Sequence, residues 1–144
     1  MTIKQLSVFL ENQPGRLSHP CSVLASMGIN ILTLSLADTR QYGILRLIVR
    51  EWDAAAKALE AAGCVVNIAD VVAVEVPDVP GAMEQLLHAA ETERLNIDYM
   101  YAFSEKRGNH AIIILRFSDP AAAIEALLKR SINILAPVEL FRTR

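Results

Sequence analysis

Asn12-Gln-Pro-Gly-Arg-Leu17 follows an apolar, strand-like run containing Leu6, Val8, Phe9 and Leu10 and leads directly into a run with helical spacing, so it reads as a turn from strand to helix. Sixty-six positions later Asp78-Val-Pro-Gly-Ala-Met83 stands in the same setting, after Val72-Ala-Val-Glu-Val76 and before another helix-like run. At the same offset Asn30-Ile31 matches Asn96-Ile97, and Asp53 matches Asp119 ahead of an alanine-rich stretch. Three landmarks in one register identify an internal duplication, which divides the 144 residues into units 1–70 and 71–144.

Each unit has the same predicted order of elements. In the first, Ile3 to Leu10 is a strand and Arg16 to Met27 a helix, with Leu17, Cys21, Leu24 and Met27 at helical spacing and Gly28 closing it. Pro20 is tolerable only near a first turn, so the helix start is expected to be kinked or shifted. Asn30 to Ala37 alternates Ile31, Thr33 and Ser35 against Leu32, Leu34 and Leu36, and with Ile44 to Val49 it forms a hairpin across Asp38 to Gly43. Asp53 is the expected cap of a helix from Ala54 to Ala62 that ends at Gly63. Cys64 to Val76 closes the unit and runs into the next without a Gly, Pro or Ser-rich spacer.

The second copy reads as a helix near Ala82 to Glu93, a strand from Asn96 to Phe103, a charged hairpin tip at Glu105 to Asn109, and a strand from Ala111 to Phe117. A helix opened by Pro120 and capped by Asp119 or Ser118 follows, then a last strand near Pro137 to Phe141. The fold class is α+β: two ferredoxin-like βαββαβ modules in tandem, packed side by side.

Composition narrows the partners. A hydrophobic fraction of 53% is high for units near the lower size limit of a self-sufficient core, so an uncovered sheet face or edge is expected to meet a second copy in a homodimer. A net charge of −2 with interspersed signs provides no basic field for nucleic acid. The N-terminal residues read as the start of a strand, not a secretion signal, and no apolar run is long enough for a membrane helix. Cys21 and Cys64 read as small buried thiols, consistent with a reducing cytoplasm.

The paired Asn12-Gln-Pro-Gly15 and Asp78-Val-Pro-Gly81 turns, with Gly28-Ile-Asn-Ile31 and Leu95-Asn-Ile97 opening the following strands, resemble the ACT-domain family in tandem form. The resemblance spans about Gln5 to Phe141. It implies a free-standing, non-catalytic regulatory protein that binds an amino acid where two modules pair and relays amino-acid levels to a metabolic enzyme. The alternative is a ligand-free interaction scaffold, or the regulatory subunit of an acetolactate-synthase-type enzyme. The resemblance further implies that a loop of one module faces the strand opening of its neighbour, Asn12 to Leu17 toward Asn96 and Asp78 to Met83 toward Asn30.

The residues supply a physical reason for such binding. The first turn of a helix presents amides without intrahelical partners at the positive end of the dipole, which stabilises a carboxylate. Gly15 and Gly81 permit close approach, Pro14 and Pro80 stiffen the turns, Asn12 can donate and accept, Asp78 can accept from an α-ammonium, and Asn30 and Asn96 at the strand openings complete the polar set. Arg16, Leu17 and Ala82 complete the ligand-binding set, with Arg16 able to pair with a carboxylate. Tyr99 and Tyr101 replace Thr33 and Ser35 in the second copy, so the two sites are expected to differ in affinity. His19, His88 and His110 are scattered, and no nucleophile elbow, metal-binding or phosphate-binding motif is present, so neither catalysis, a cofactor nor a metal is expected. His19, one turn into its helix, could touch a ligand side chain.

Overall fold

The computed structural model describes residues 1–11, 13–38 and 41–142. The chain forms two compact units, Lys4–Ala69 and Met1–Ile3 with Asp70–Arg144. Each contains the expected β-α-β-β-α-β order.

The first unit holds β1 (Ile3–Glu11, apart from its first residue), α1 (Ser18–Ser26), β2 (Ile31–Asp38), β3 (Tyr42–Val49), α2 (Trp52–Ala61) and the beginning of β4 (Val65–Pro77). β3 is central, antiparallel to β1 with Leu6 opposite Leu47 and Val8 opposite Leu45, and antiparallel to β2 with Leu34 opposite Leu47. Alternation along the strands sends Leu6, Val8, Leu45, Leu47 and Val49 to one face, where Leu24 of α1 and Ala55 and Leu59 of α2 cover them. Burying side chains of this size is what holds the sheet to its helices; removing one such leucine costs about 2–5 kcal/mol.

The second unit holds the rest of β4, α3 (Ala82–Thr92), β5 (Ile97–Ala102), β6 (His110–Phe117), α4 (Pro120–Lys129), β7 (Asn133–Leu135) and α5 (Pro137–Arg142). β6 pairs antiparallel with β4 and β5, and β7 adds to the other side of β4. Val72, Val74, Leu115, Phe117 and Ile134 of these strands pack with Leu86 of α3 and Leu127 of α4.

Three sequence expectations require correction, and the shifted start expected for the first helix is observed. The chain does not finish on a strand at Pro137 to Phe141. The closing strand is the shorter Asn133–Leu135, and Pro137 opens a helix. Proline is preorganised for a first helical position, and the Glu139 carboxylate accepts the Ala136 amide at 3.1 Å, which secures that start. α1 begins at Ser18, which places Pro20 in the first turn, where its missing N–H leaves no intrahelical bond unmade. α2 begins at Trp52 after Glu51, so Asp53 is not its cap; its carboxylate receives Lys57 at 3.0 Å, one turn on. Finally, a bulge between Ile31 and Thr33 breaks the alternation of β2 and returns Ile31, opposite Val49, to the core cluster. β5 carries the same irregularity between Ile97 and Tyr99.

Candidate functional site

The strand-to-helix turns of the two units share one backbone construction. In the first, the Arg16 amide donates to the Gln13 carbonyl at 3.2 Å; in the second, the Ala82 amide donates to the Val79 carbonyl at 3.3 Å. Gly15 and Gly81 have φ of +86° and +88°, the left-handed region that disfavours a side chain, and a Cβ at either would meet nothing within 4 Å. The glycines are therefore required by backbone conformation, with open space in front of them. Pro14, Gly15, Arg16, Leu17, Pro80 and Gly81 are exposed.

The helices that follow lack side-chain caps. Leu17 precedes α1 and Gly81 precedes α3, and neither supplies an oxygen to the first-turn amides; the Ser18 hydroxyl instead donates to the Gly15 carbonyl at 3.1 Å. α4 differs, because the Asp119 carboxylate accepts the Ala122 amide at 3.1 Å, as expected for a capped helix. The N-terminal turns of α1 and α3 are thus left to solvent or to a ligand.

The polar candidates vary in how they are engaged. Asn12 lies outside the described residues. Asp78 pairs with the Lys106 ammonium from the β5–β6 hairpin tip, and its amide donates to the Asn109 carbonyl at 3.1 Å. Asn96 donates from Nδ2 to Asp98 at 2.9 Å and to the Ser118 hydroxyl at 2.8 Å, fixing the opening of β5 to the end of β6. Asn30 is exposed at the opening of β2. Ala82 has its side chain in the core, so only its backbone faces the turn.

Within one unit the turn and the strand-opening asparagine do not meet, since they lie at opposite ends of a helix. α1 has nine residues and α3 eleven, which separates those ends by about 14 and 16 Å. A hollow beside Gln13 and Leu17 measures about 80 Å³, well below the ~300–1,000 Å³ of small-molecule pockets. The turn alone does not enclose an amino acid.

A larger cavity, about 320 Å³, also borders the end of the first strand. Phe9, Leu10 and Glu11 at the end of β1, Arg16 and His19 around the start of α1, Tyr42 of β3, Gly63 and Cys64 ahead of β4, and Val65 at its start line it. The His19 Nε2 donates to the Ala62 carbonyl at 3.1 Å, which ties α1 to the end of α2 along one wall. Burial raises the pKa of the Cys64 thiol, so it remains protonated where an ordinary thiol begins to ionise. Of these residues, sequence reading had singled out Arg16 and, for its position, His19. No local sequence signal marks the others, although residues at corresponding places line a cavity of about 310 Å³ in the second unit.

With this geometry in place, the chain belongs to the ACT domain pair family, whose model matches residues 1–143. It is similar over 98% of its length, with 41% identity and a TM-score of 0.90, to protein BT0572 from Bacteroides thetaiotaomicron, of which it covers 96%. It is also similar in fold to the regulatory subunit of aspartate kinase from Thermus thermophilus (18% identity, TM-score 0.64, 88% of this chain and 91% of that one). The Thermus flavus subunit gives 17% identity, a TM-score of 0.61 and coverage of 88% and 90%. No functionally curated protein matches. Among the described residues no helix is long and apolar enough to cross a membrane, and no group of three or more His, Cys, Asp or Glu could hold a metal ion.

Proposed function

We propose that this chain is a non-catalytic regulatory protein that binds an amino acid and conveys its concentration to a separate metabolic enzyme in the cytoplasm. The observation that carries this reading is the repeated, exposed Pro-Gly turn with a left-handed glycine ahead of a helix that no side chain caps. A carboxylate placed there meets amide donors and the positive end of the dipole. The small hollow beside the turn supports completion of the site by another module, with the strand-opening Asn30 or Asn96 contributing polar groups. Thermus proteins of this fold are regulatory subunits of aspartate kinase, which supports action on a separate catalytic partner.

Self-association fits the same reading. Leu34 and Leu36 are half exposed on β2, at the edge of the first unit's sheet, and edge strands with apolar side chains are natural pairing surfaces. The protein is expected to run as a dimer in light-scattering measurements.

A thermal-shift screen against the twenty amino acids tests the function. One or a few of them should stabilise the protein by about 2–3 kcal/mol at roughly a hundred times Kd. A Gly15→Ala, Gly81→Ala variant meets no steric obstacle but strains each left-handed turn by about 1–2 kcal/mol; it should still fold, with a lowered apo melting temperature, and should lose most of that shift. No shift with any amino acid overturns the reading.

A further inference from the structure

The two larger cavities occupy the same place in the repeat. Phe9, Arg16, His19 and Tyr42 in the first correspond to Glu75, Ala82, Gln85 and His110 in the second, and Cys64-Val65 corresponds to Ile132-Asn133. Their volumes, about 320 and 310 Å³, are nearly equal. The fold therefore creates the space, and the lining decides what each space can hold. Both volumes fall at the lower end of the ~300–1,000 Å³ range of small-molecule pockets, which suits a ligand of amino-acid size.

The two linings differ in kind. In the second unit Glu75 is already paired with Arg107 at 3.2 Å, and Gln85, His110 and Asn133 add polar groups beside the apolar Val76, Leu86 and Ile132, with no aromatic wall. In the first unit Phe9, Leu10, Tyr42 and Val65 offer apolar surface, while Glu11 and Arg16 stand at the rim. Those two charges lie 3.9 Å apart and are more than half exposed, too far apart for a hydrogen bond. Such a pair contributes little to folding and costs little to open. It presents a carboxylate and a guanidinium, the complements of an α-ammonium and an α-carboxylate.

We propose that the first unit's cavity is a ligand site for an amino acid with an apolar, aromatic or branched side chain. Arg16 takes the carboxylate, Glu11 the ammonium, and Phe9, Tyr42 and Val65 the side chain. Charge-assisted bonds replace the loose rim pair, and the side chain leaves water for an apolar wall. This rests on the reading that the chain binds amino acids, but it places the ligand inside one module and assigns its chemical class.

The test is calorimetric titration of the full chain with phenylalanine, leucine, aspartate and lysine, together with the 2-oxo acid of the better apolar ligand. Phenylalanine or leucine should bind, and the 2-oxo acid, which has no ammonium for Glu11, should bind at least tenfold more weakly. Val65→Trp fills the cavity from an exposed position, and Arg16→Leu removes the carboxylate partner; each should weaken binding at least tenfold with the apo melting temperature little changed. Bound ligand should also slow alkylation of Cys64 in the cavity wall, which locates the site independently of the variants. Apolar binding that neither substitution alters, or binding of aspartate or lysine alone, overturns this proposal and leaves amino-acid sensing standing. Absence of binding by any amino acid overturns both.

Discussion

Arg94 holds the left-handed backbone conformation, φ +56°, that Gly28 holds at φ +69° in the corresponding place of the first unit. Both residues follow a helix and close it with the same pair of bonds: Gly28 and Arg94 donate to Ala25 and Glu91, and the next amides, of Ile29 and Leu95, reach back to Leu24 and Ala90. Ser131, at φ +60°, stands where Gly63 stands in the first unit. The second unit thus ends two helices on residues that strain the conformation its partner unit fills with glycine.

Arg94→Gly is therefore expected to stabilise the protein. Relief of left-handed strain is worth about 1–2 kcal/mol, and the added freedom of glycine in the unfolded chain returns about half of it. A net gain of about 1 kcal/mol should raise the urea midpoint with an unchanged slope. Ser131→Gly should behave alike.

Removal of the Lys106 side chain separates stability from binding. The Lys106–Asp78 pair is exposed, 65% and 48% for the two side chains, so Lys106→Ala should change stability by less than about 1 kcal/mol. If Asp78 receives the ligand's ammonium, the same change removes a competitor and should tighten amino-acid binding in calorimetry. Unchanged or weaker affinity would exclude Asp78 from that role.

The cap of α4 gives a calibrated loss. Asp119→Ala leaves the Ala122 amide without its acceptor and should cost about 1 kcal/mol in denaturant unfolding. Asp119→Asn, which keeps an acceptor oxygen, should cost much less.

Cys64 makes stability depend on alkaline pH. Its thiol pKa is raised by burial in the folded state, so the fold binds that proton more tightly than the unfolded chain does. The contribution is fully present below the ordinary thiol range, about pH 8.5, and is lost as pH rises through the folded value. Urea midpoints measured from about pH 7 to about pH 10.5 should fall at the alkaline end, and less so in Cys64→Ala. At a fixed mildly alkaline pH, alkylation of Cys64 should be slower than that of a free thiol.

Where one residue type has one strong physical use, the sequence was readable. Pro120 with Asp119 announced a helix start, and the repeated Pro-Gly turns announced the two-module architecture that the family match and fold share. The errors arose where two signals competed. Ile132 to Phe141 is apolar and sits where the repeat calls for a closing strand, so Pro137 and Glu139, both helix-start residues, were outweighed. Asp53 looked like a cap, but Trp52 packs against the core cluster beneath the Lys4 ammonium, and the helix begins early enough to include it. The first unit's cavity was hidden for another reason: its walls come from four separated stretches, and no local pattern reports their convergence.

Duplication within one polypeptide has a consequence for information as well as for folding. Position 16 is an arginine open to water while its counterpart, Ala82, is sunk among core side chains, so the two copies present different chemistry at the same place. Either copy can then be retuned by mutation while its twin continues to serve. Under the amino-acid-binding reading, such asymmetry lets one polypeptide answer to two metabolites instead of one.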